Sequence, residues 1–140
     1  MTIHALTDGI YPADQHTRKP ESYLAIYDEL FAGTRDQPLS LLELGVHSGH
    51  SLYLWHGYFP NAQITGLDMR PRPEDIPDSR VTYVQGRQEE PRAIADAVAY
   101  GPFDIIVDDA SHVGRLTKAS FELLFREHLK PGGYYILEDI

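Results

Sequence analysis

The ten residues FDIIVDDASH, Phe103 to His112, begin as an apolar run and finish with two carboxylates, a hydroxyl and an imidazole in five positions. Side chains of these types hold cations and move protons when a ligand can reach them. Standing alone, Asp108 and Asp109 read as a solvated strand end, Ser111 as the N-cap of a following helix, and His112 as a surface histidine near its start. A second acidic pair, Glu138 and Asp139, closes another apolar run, YYILED. Adjacent strands of a parallel sheet lie about 5 Å apart, so carboxylates at two neighbouring strand ends can share one hard cation.

Two further segments have chemistry of their own. ELGVHSGHS, Glu43 to Ser51, joins an apolar run to a helical pattern. Its glycines let a ligand approach the backbone, and a helix start offers unpaired N–H groups. A plain tight turn is the simpler alternative. The segment lacks both the G-x-G-x-x-G of dinucleotide folds and the Gly-Lys-Ser/Thr of a phosphate loop, which leaves a nucleoside-type pocket. Asp68 follows about 20 residues later at the end of QITGLDM, where an acid can accept two ribose hydroxyls. Gln88 and Glu89 follow VTYVQG and can flank an adenine ring, although a glutamate near a helix start also suits the helix dipole.

These residues need elements to position them. Tyr23, Ile26, Tyr27, Leu30 and Phe31 have helical spacing after Pro20. Leu39 to Gly45 predicts a buried strand, followed by a helix through about Phe59, and Gln63 to Met69 predicts the second strand. The proline-rich interval 71–79 is a surface connection before a third strand, Val81 to Gly86. A helix from about Glu89 to Tyr100 and the strand FDIIVDD follow. Val113, Leu116, Ser120, Leu123 and Leu124 then share one helical face, and Pro131, Gly132 and Gly133 turn the chain into the fifth strand. Such alternation predicts a mostly parallel α/β sheet with right-handed crossovers, whose ligands collect at the carboxyl ends of the strands.

The chain has 140 residues and 42% hydrophobic content, enough for one folded domain. Its formal net charge of −9 argues against nucleic acid or an anionic membrane as the main partner. With no cysteine, disulfides, zinc-thiolate sites and thiol catalysis are excluded, and a reducing, cytoplasmic setting is compatible. No segment approaches the roughly 18 apolar residues needed to span a bilayer. His4, His16, His47, His50, His56 and His128 show no repeated metal-ligand spacing. Trp55, Tyr58 and Phe59 read as packing residues.

Taken together, ELGVHSG, GLDM and LKPGGYYILED resemble the class I S-adenosylmethionine-dependent methyltransferases. More narrowly, SLYLWHGYFPNAQITGLDM, GPFDIIVDDASH and LKPGGYYILEDI look like the macrocin and mycinamicin sugar O-methyltransferases, with a cephalosporin-hydroxylase-like core. YPADQHTRKPESYLAIYDELF is similar to that family's N-terminal segment, which helps close the cofactor pocket. The resemblance implies a doubly wound, Rossmann-like sheet in one domain, with residues 1–35 as N-terminal segment and helix and 36–140 as core. Sheets of that class normally continue through two more strands, an antiparallel pair, whereas this sequence ends at Ile140, so the sheet is expected to end after its fifth strand.

By the same resemblance, S-adenosyl-L-methionine contacts Glu43, Gly45, Ser51, Asp68, Gln88 and Asp108, while Asp109, Glu138 and Asp139 hold Mg2+ and His112 is the general base. Period-two alternation supports a division of labour, with Asp109 on the metal and Asp108 orienting the cofactor or a loop. The expected substrate is a small molecule with a hydroxyl, a sugar or glycosylated natural product, and the family's habit of oligomerising leaves room for a homo-oligomer. Two other classes use the same residues: a methyltransferase-like binding or assembly module without catalysis, and a metal-dependent hydrolase with water as nucleophile.

Overall fold

The structure is a computed structural model that describes residues 17–139. His4, His16 and the Tyr11–His16 part of the N-terminal resemblance lie outside the described residues, as does Ile140. Five strands, β1 (Ser40–Leu44), β2 (Gln63–Asp68), β3 (Val81–Gln85), β4 (Phe103–Asp108) and β5 (Leu129–Leu137), form one sheet in the order β3-β2-β1-β4-β5. Every pairing is parallel. Among the described residues the helices are α1 (Glu21–Phe31), α2 (His50–Tyr58), α3 (Pro91–Val98) and α4 (Gly114–His128).

Alternation along the strands sorts the core into two halves. Leu41, Ile64, Ile105 and Val107 pack beneath α1 and α2, with Tyr27, Phe31, Trp55 and Phe59. Leu42, Leu44, Leu67 and Ile106 pack on the other face, against Ala93, Ile94, Ala97 and Leu124 of α3 and α4. Central strands covered on both faces have apolar side chains in both directions, which is why LLEL and IIV are nearly continuous hydrophobic runs. At the amino ends, the Asp104 carboxylate accepts from the Ser40 N–H at 2.8 Å and from Lys130 Nζ at 3.0 Å, tying three strands together.

Three elements differ from the sequence expectation. Helix α3 starts at Pro91 rather than Glu89, because the residue before a proline is pushed to extended backbone, and Glu90 adopts φ −85°, ψ 115°. Strand β5 begins at Leu129, so Pro131 to Gly133 lie within it, at a register shift between Phe103↔Leu129 and Ile105↔Tyr134. In α4 the buried positions are Thr117, Ser120 and Leu124 while Val113 is exposed, since the helix turns a hydroxyl inward to meet a strand-end carboxylate.

The interval 71–79 has neither helix nor strand, as expected, yet Ile76 is buried. A Cβ at Gly49 would stand 2.6 Å from the Ile76 side chain, so the loop packs tightly over the start of α2. Leu42 lies fully buried in the central strand. Leu42→Ala should lower the unfolding free energy by about 2–5 kcal/mol in urea denaturation with the slope unchanged.

Candidate functional site

A cavity of about 900 Å3 opens at the carboxyl ends of the strands. The turn after β1, Asp68 to Arg70, Gly86 to Glu89, Asp109 to His112 and the Glu138–Asp139 pair line it, and Thr17 to Pro20 cross its edge. This is where an open parallel sheet collects ligands.

The turn after β1 is built around Gly45 and Asp68. Gly45 has φ +88°, and a Cβ there would come within 2.2 Å of the Asp109 carbonyl oxygen, so only glycine fits. Asp68 Oδ2 accepts from the Val46 and His47 N–H groups, both at 2.8 Å, and Oδ1 accepts from the Arg70 N–H at 2.9 Å. Each carboxylate oxygen has two acceptor positions, so Oδ2 is filled by backbone and Oδ1 keeps one for a ligand hydroxyl.

Alternation carries two polar sets to opposite faces. Counting on from Leu41, Ile105 and Ile136, the α1/α2 face receives Glu43, Asp109 and Glu138. Glu43 is fully buried mid-strand, where the Ser51 hydroxyl and Trp55 Nε1 donate to its two oxygens. Lys19 Nζ lies between the three acids, 3.0 Å from Asp109 Oδ2, 2.7 and 2.9 Å from the Glu138 oxygens and 3.5 Å from Glu43 Oε2. The Tyr27 hydroxyl donates to Glu138 Oε1 and the Tyr23 hydroxyl to Asp139 Oδ1 at 2.5 Å.

The charges in this cluster are unevenly balanced. Burial works against the Lys19 charge, but Glu43, Glu138 and Asp109 together outweigh it and hold its pKa above the ordinary lysine value. Each acid shares that one ammonium with the others, so burial prevails for Glu43 and raises its pKa, and pushes Glu138 up to about 7. Asp108 faces the other side. There its Oδ2 accepts from Gln88 Nε2 at 2.9 Å and from the Ser120 hydroxyl at 3.0 Å, while Oδ1 accepts from the Ala110 N–H at 3.2 Å. Gln88 Oε1 accepts in turn from the Ser111 hydroxyl at 2.5 Å, and the Ser111 oxygen accepts from the Val113 N–H at 3.2 Å.

His112 stands at the cavity edge with its side chain 42% exposed and Nε2 3.7 Å from Asp109 Oδ1. Ligand atoms of Asp109, His112 and Asp139 lie within 4.8 Å of one another. Both His112 and Asp139 adopt left-handed backbone, φ 59° and 56°, which costs energy in non-glycine residues and concentrates at functional sites.

The strand order, the glycine turn with its acid on β2, and paired acids ending β4 and β5 decide the comparison. The fold is the Rossmann-like methyltransferase fold. The chain is 38% identical over 123 residues to mycinamicin VI 2''-O-methyltransferase of Micromonospora griseorubida, covering 81% of this chain and 30% of that protein. It is 36% identical over 122 residues to demethylmacrocin O-methyltransferase of Streptomyces fradiae, with the same coverage of 81% and 30%. The MycE methyltransferase of the mycinamycin biosynthetic pathway, solved in complex with Mg, SAH and mycinamycin VI, superposes with a TM-score of 0.84 at 32% identity, over 99% of this chain and 37% of that chain. The chain thus spans about a third of the length of these relatives. No protein-family model matches it.

Within this methyltransferase fold the sequence-assigned residues divide into two layers. Gly45, Ser51, Asp68, Gln88, Asp109, His112, Glu138 and Asp139 line the cavity. Glu43 and Asp108, expected as cofactor contacts, are buried one layer below its lining, where the first supports α2 and the second the loop after β4. The hard carboxylate oxygens of Asp109, Glu138 and Asp139 fit a magnesium ion with waters, whereas an imidazole donor such as His112 would suit a softer metal. Sequence reasoning did not find Lys19 or the tyrosine hydroxyls. For the tyrosines the signal is their spacing of four within α1, which puts both hydroxyls on one side of the helix; Lys19 lies before the helix and carries no such signal.

Glu138 connects this site to pH. Its folded pKa of about 7 exceeds the ordinary 4.5, so its contribution to stability is full below about pH 4.5 and is lost as pH rises through about 7. Urea denaturation of the metal-free protein should therefore show the stability difference between wild type and Glu138→Gln shifting toward the variant across that window, on the order of 1–3 kcal/mol. A difference that stays flat contradicts the raised pKa.

Proposed function

We propose that this chain forms the cofactor- and metal-binding core of an S-adenosylmethionine- and magnesium-dependent O-methyltransferase, whose acceptor is a hydroxyl of a sugar on a natural-product scaffold. The observation that carries this reading is the joint cavity, in which the glycine turn with Asp68 faces Asp109, His112, Glu138 and Asp139. The relatives named above support the acceptor class, since two are O-methyltransferases of mycinamicin VI and demethylmacrocin and one was solved with mycinamycin VI.

In this reading the turn N–H groups, fixed by Asp68, present the backbone at Gly45 to the nucleoside end of the cofactor, and Asp68 Oδ1 accepts from its ribose. Gln88 closes the adenine side. Asp109, Glu138 and Asp139 hold the cation. Bound magnesium lowers the pKa of the acceptor hydroxyl, and bound S-adenosylmethionine supplies the methyl group. His112 takes the hydroxyl proton as the new oxygen–carbon bond forms and the carbon–sulfur bond breaks. Asp109, 3.7 Å from the imidazole, stabilises the charge His112 then acquires. Asp108 acts through the loop, as its contacts with Ala110 and, by way of Gln88, with Ser111 set the path leading to His112.

Calorimetry with saturating magnesium should detect S-adenosylmethionine binding to the folded chain, and its absence rejects the reading. His112→Ala in the protein that turns over substrate should reduce methyl transfer by about 100- to 10,000-fold while cofactor affinity stays within a factor of about two. Unchanged turnover removes His112 as the base.

A further inference from the structure

The space between Asp109 and Glu138 already holds a cation that belongs to the chain. Lys19 Nζ accepts no other role there: its side chain is 5% exposed, and it contacts both Glu138 oxygens, Asp109 Oδ2 and, at 3.5 Å, Glu43. A magnesium ion binds oxygens at about 2.0–2.1 Å, and a dication bonded to these same atoms would stand within about 5 Å of the ammonium, where like charges repel. Each therefore disfavours the other.

Lys19 is also an anchor. Thr17 to Pro20 form neither helix nor strand, and they line the cavity edge. Among the described residues, the hydrogen bonds from this segment to the strand ends all come from Lys19 Nζ, whereas its backbone bonds are local, from Lys19 N–H to the Thr17 hydroxyl and from α1 to the Pro20 carbonyl. Among the described residues, removing the ammonium leaves the segment with no hydrogen bond to the strand ends.

We propose that the Lys19 ammonium and a divalent cation are alternative occupants of the space between Asp109 and Glu138, so that loading the cation unlatches Thr17 to Pro20 from the cavity. This rests on the magnesium reading above. Lys19 is here a positioning residue: it bridges the acids, offsetting their mutual repulsion, and holds the segment over the cavity until the cation replaces it.

Amine acetylation of the wild-type chain followed by mass spectrometry tests the exchange directly. The chain has three lysines, and Lys118 and Lys130, whose side chains are 75% and 41% exposed, serve as internal references. Magnesium should raise the modification rate of Lys19 by about tenfold or more relative to Lys118, as a buried ion-paired amine is released. Magnesium binding seen by calorimetry with Lys19 still protected overturns the exchange while leaving the metal site intact. No magnesium binding at all overturns the metal assignment and the exchange with it.

Two variants give an independent readout. Lys19→Met should bind magnesium about tenfold or more tightly than wild type because a competing charge is gone, and Lys19→Arg, which keeps the charge, should not. Equal or weaker binding by a folded Lys19→Met overturns the proposal. Should that variant not fold, the acetylation experiment on the wild-type chain decides alone.

Discussion

Glu43, Asp109 and Glu138 lie on one side of a covered sheet because strand residues alternate, and three acids in that position need a cation within reach. Lys19 meets this need from outside the sheet, and its contacts at 2.7–3.5 Å fix where the chain before α1 runs. Around that ammonium the rest of the α1/α2 face is ordered: Trp55 donates to Glu43, Tyr27 donates to Glu138, and the Lys19 charge sits 5.9 Å from the Trp55 ring centroid. A buried acid left without such partners would be strongly destabilising, so these donors are needed wherever the helices cover the strand-end acids.

The opposite face solves the same problem without a cation. Asp108 is surrounded by neutral donors from Gln88, Ser120 and Ala110, and burial raises its pKa. Two neighbouring aspartates thus receive different surroundings from the pleat alone. One becomes a structural support for the loop, and the other is left half-exposed at a cavity edge beside an imidazole.

The strands and their polar ends were legible because buried parallel strands are short apolar runs, and a run that stops at Asp68, Asp108 or Glu138 marks the carboxyl edge of the sheet where the cavity opens. The helix limits were less so. Pro91 sets the start of α3 by a local rule that periodicity ignores, and β5 absorbs Pro131 to Gly133 through a register shift that only its pairing with β4 reveals. Glu43 was legible as an acid in an apolar run but not as a buried one, since its partners come from Ser51, Trp55 and Lys19, elsewhere along the chain. Lys19 itself lies 90 residues from Asp109 and 119 from Glu138, beyond any spacing rule.

Asp68 has a consequence for which substitutions the pocket can absorb. One of its oxygens is committed to two N–H groups of the turn after β1, and the other faces the cavity while holding the Arg70 N–H. The same carboxylate therefore shapes the scaffold and the cavity wall, so a change there disturbs both at once. Side chains that line the cavity yet hold no turn together, such as exposed Met69 and Arg87, can be exchanged without that double cost.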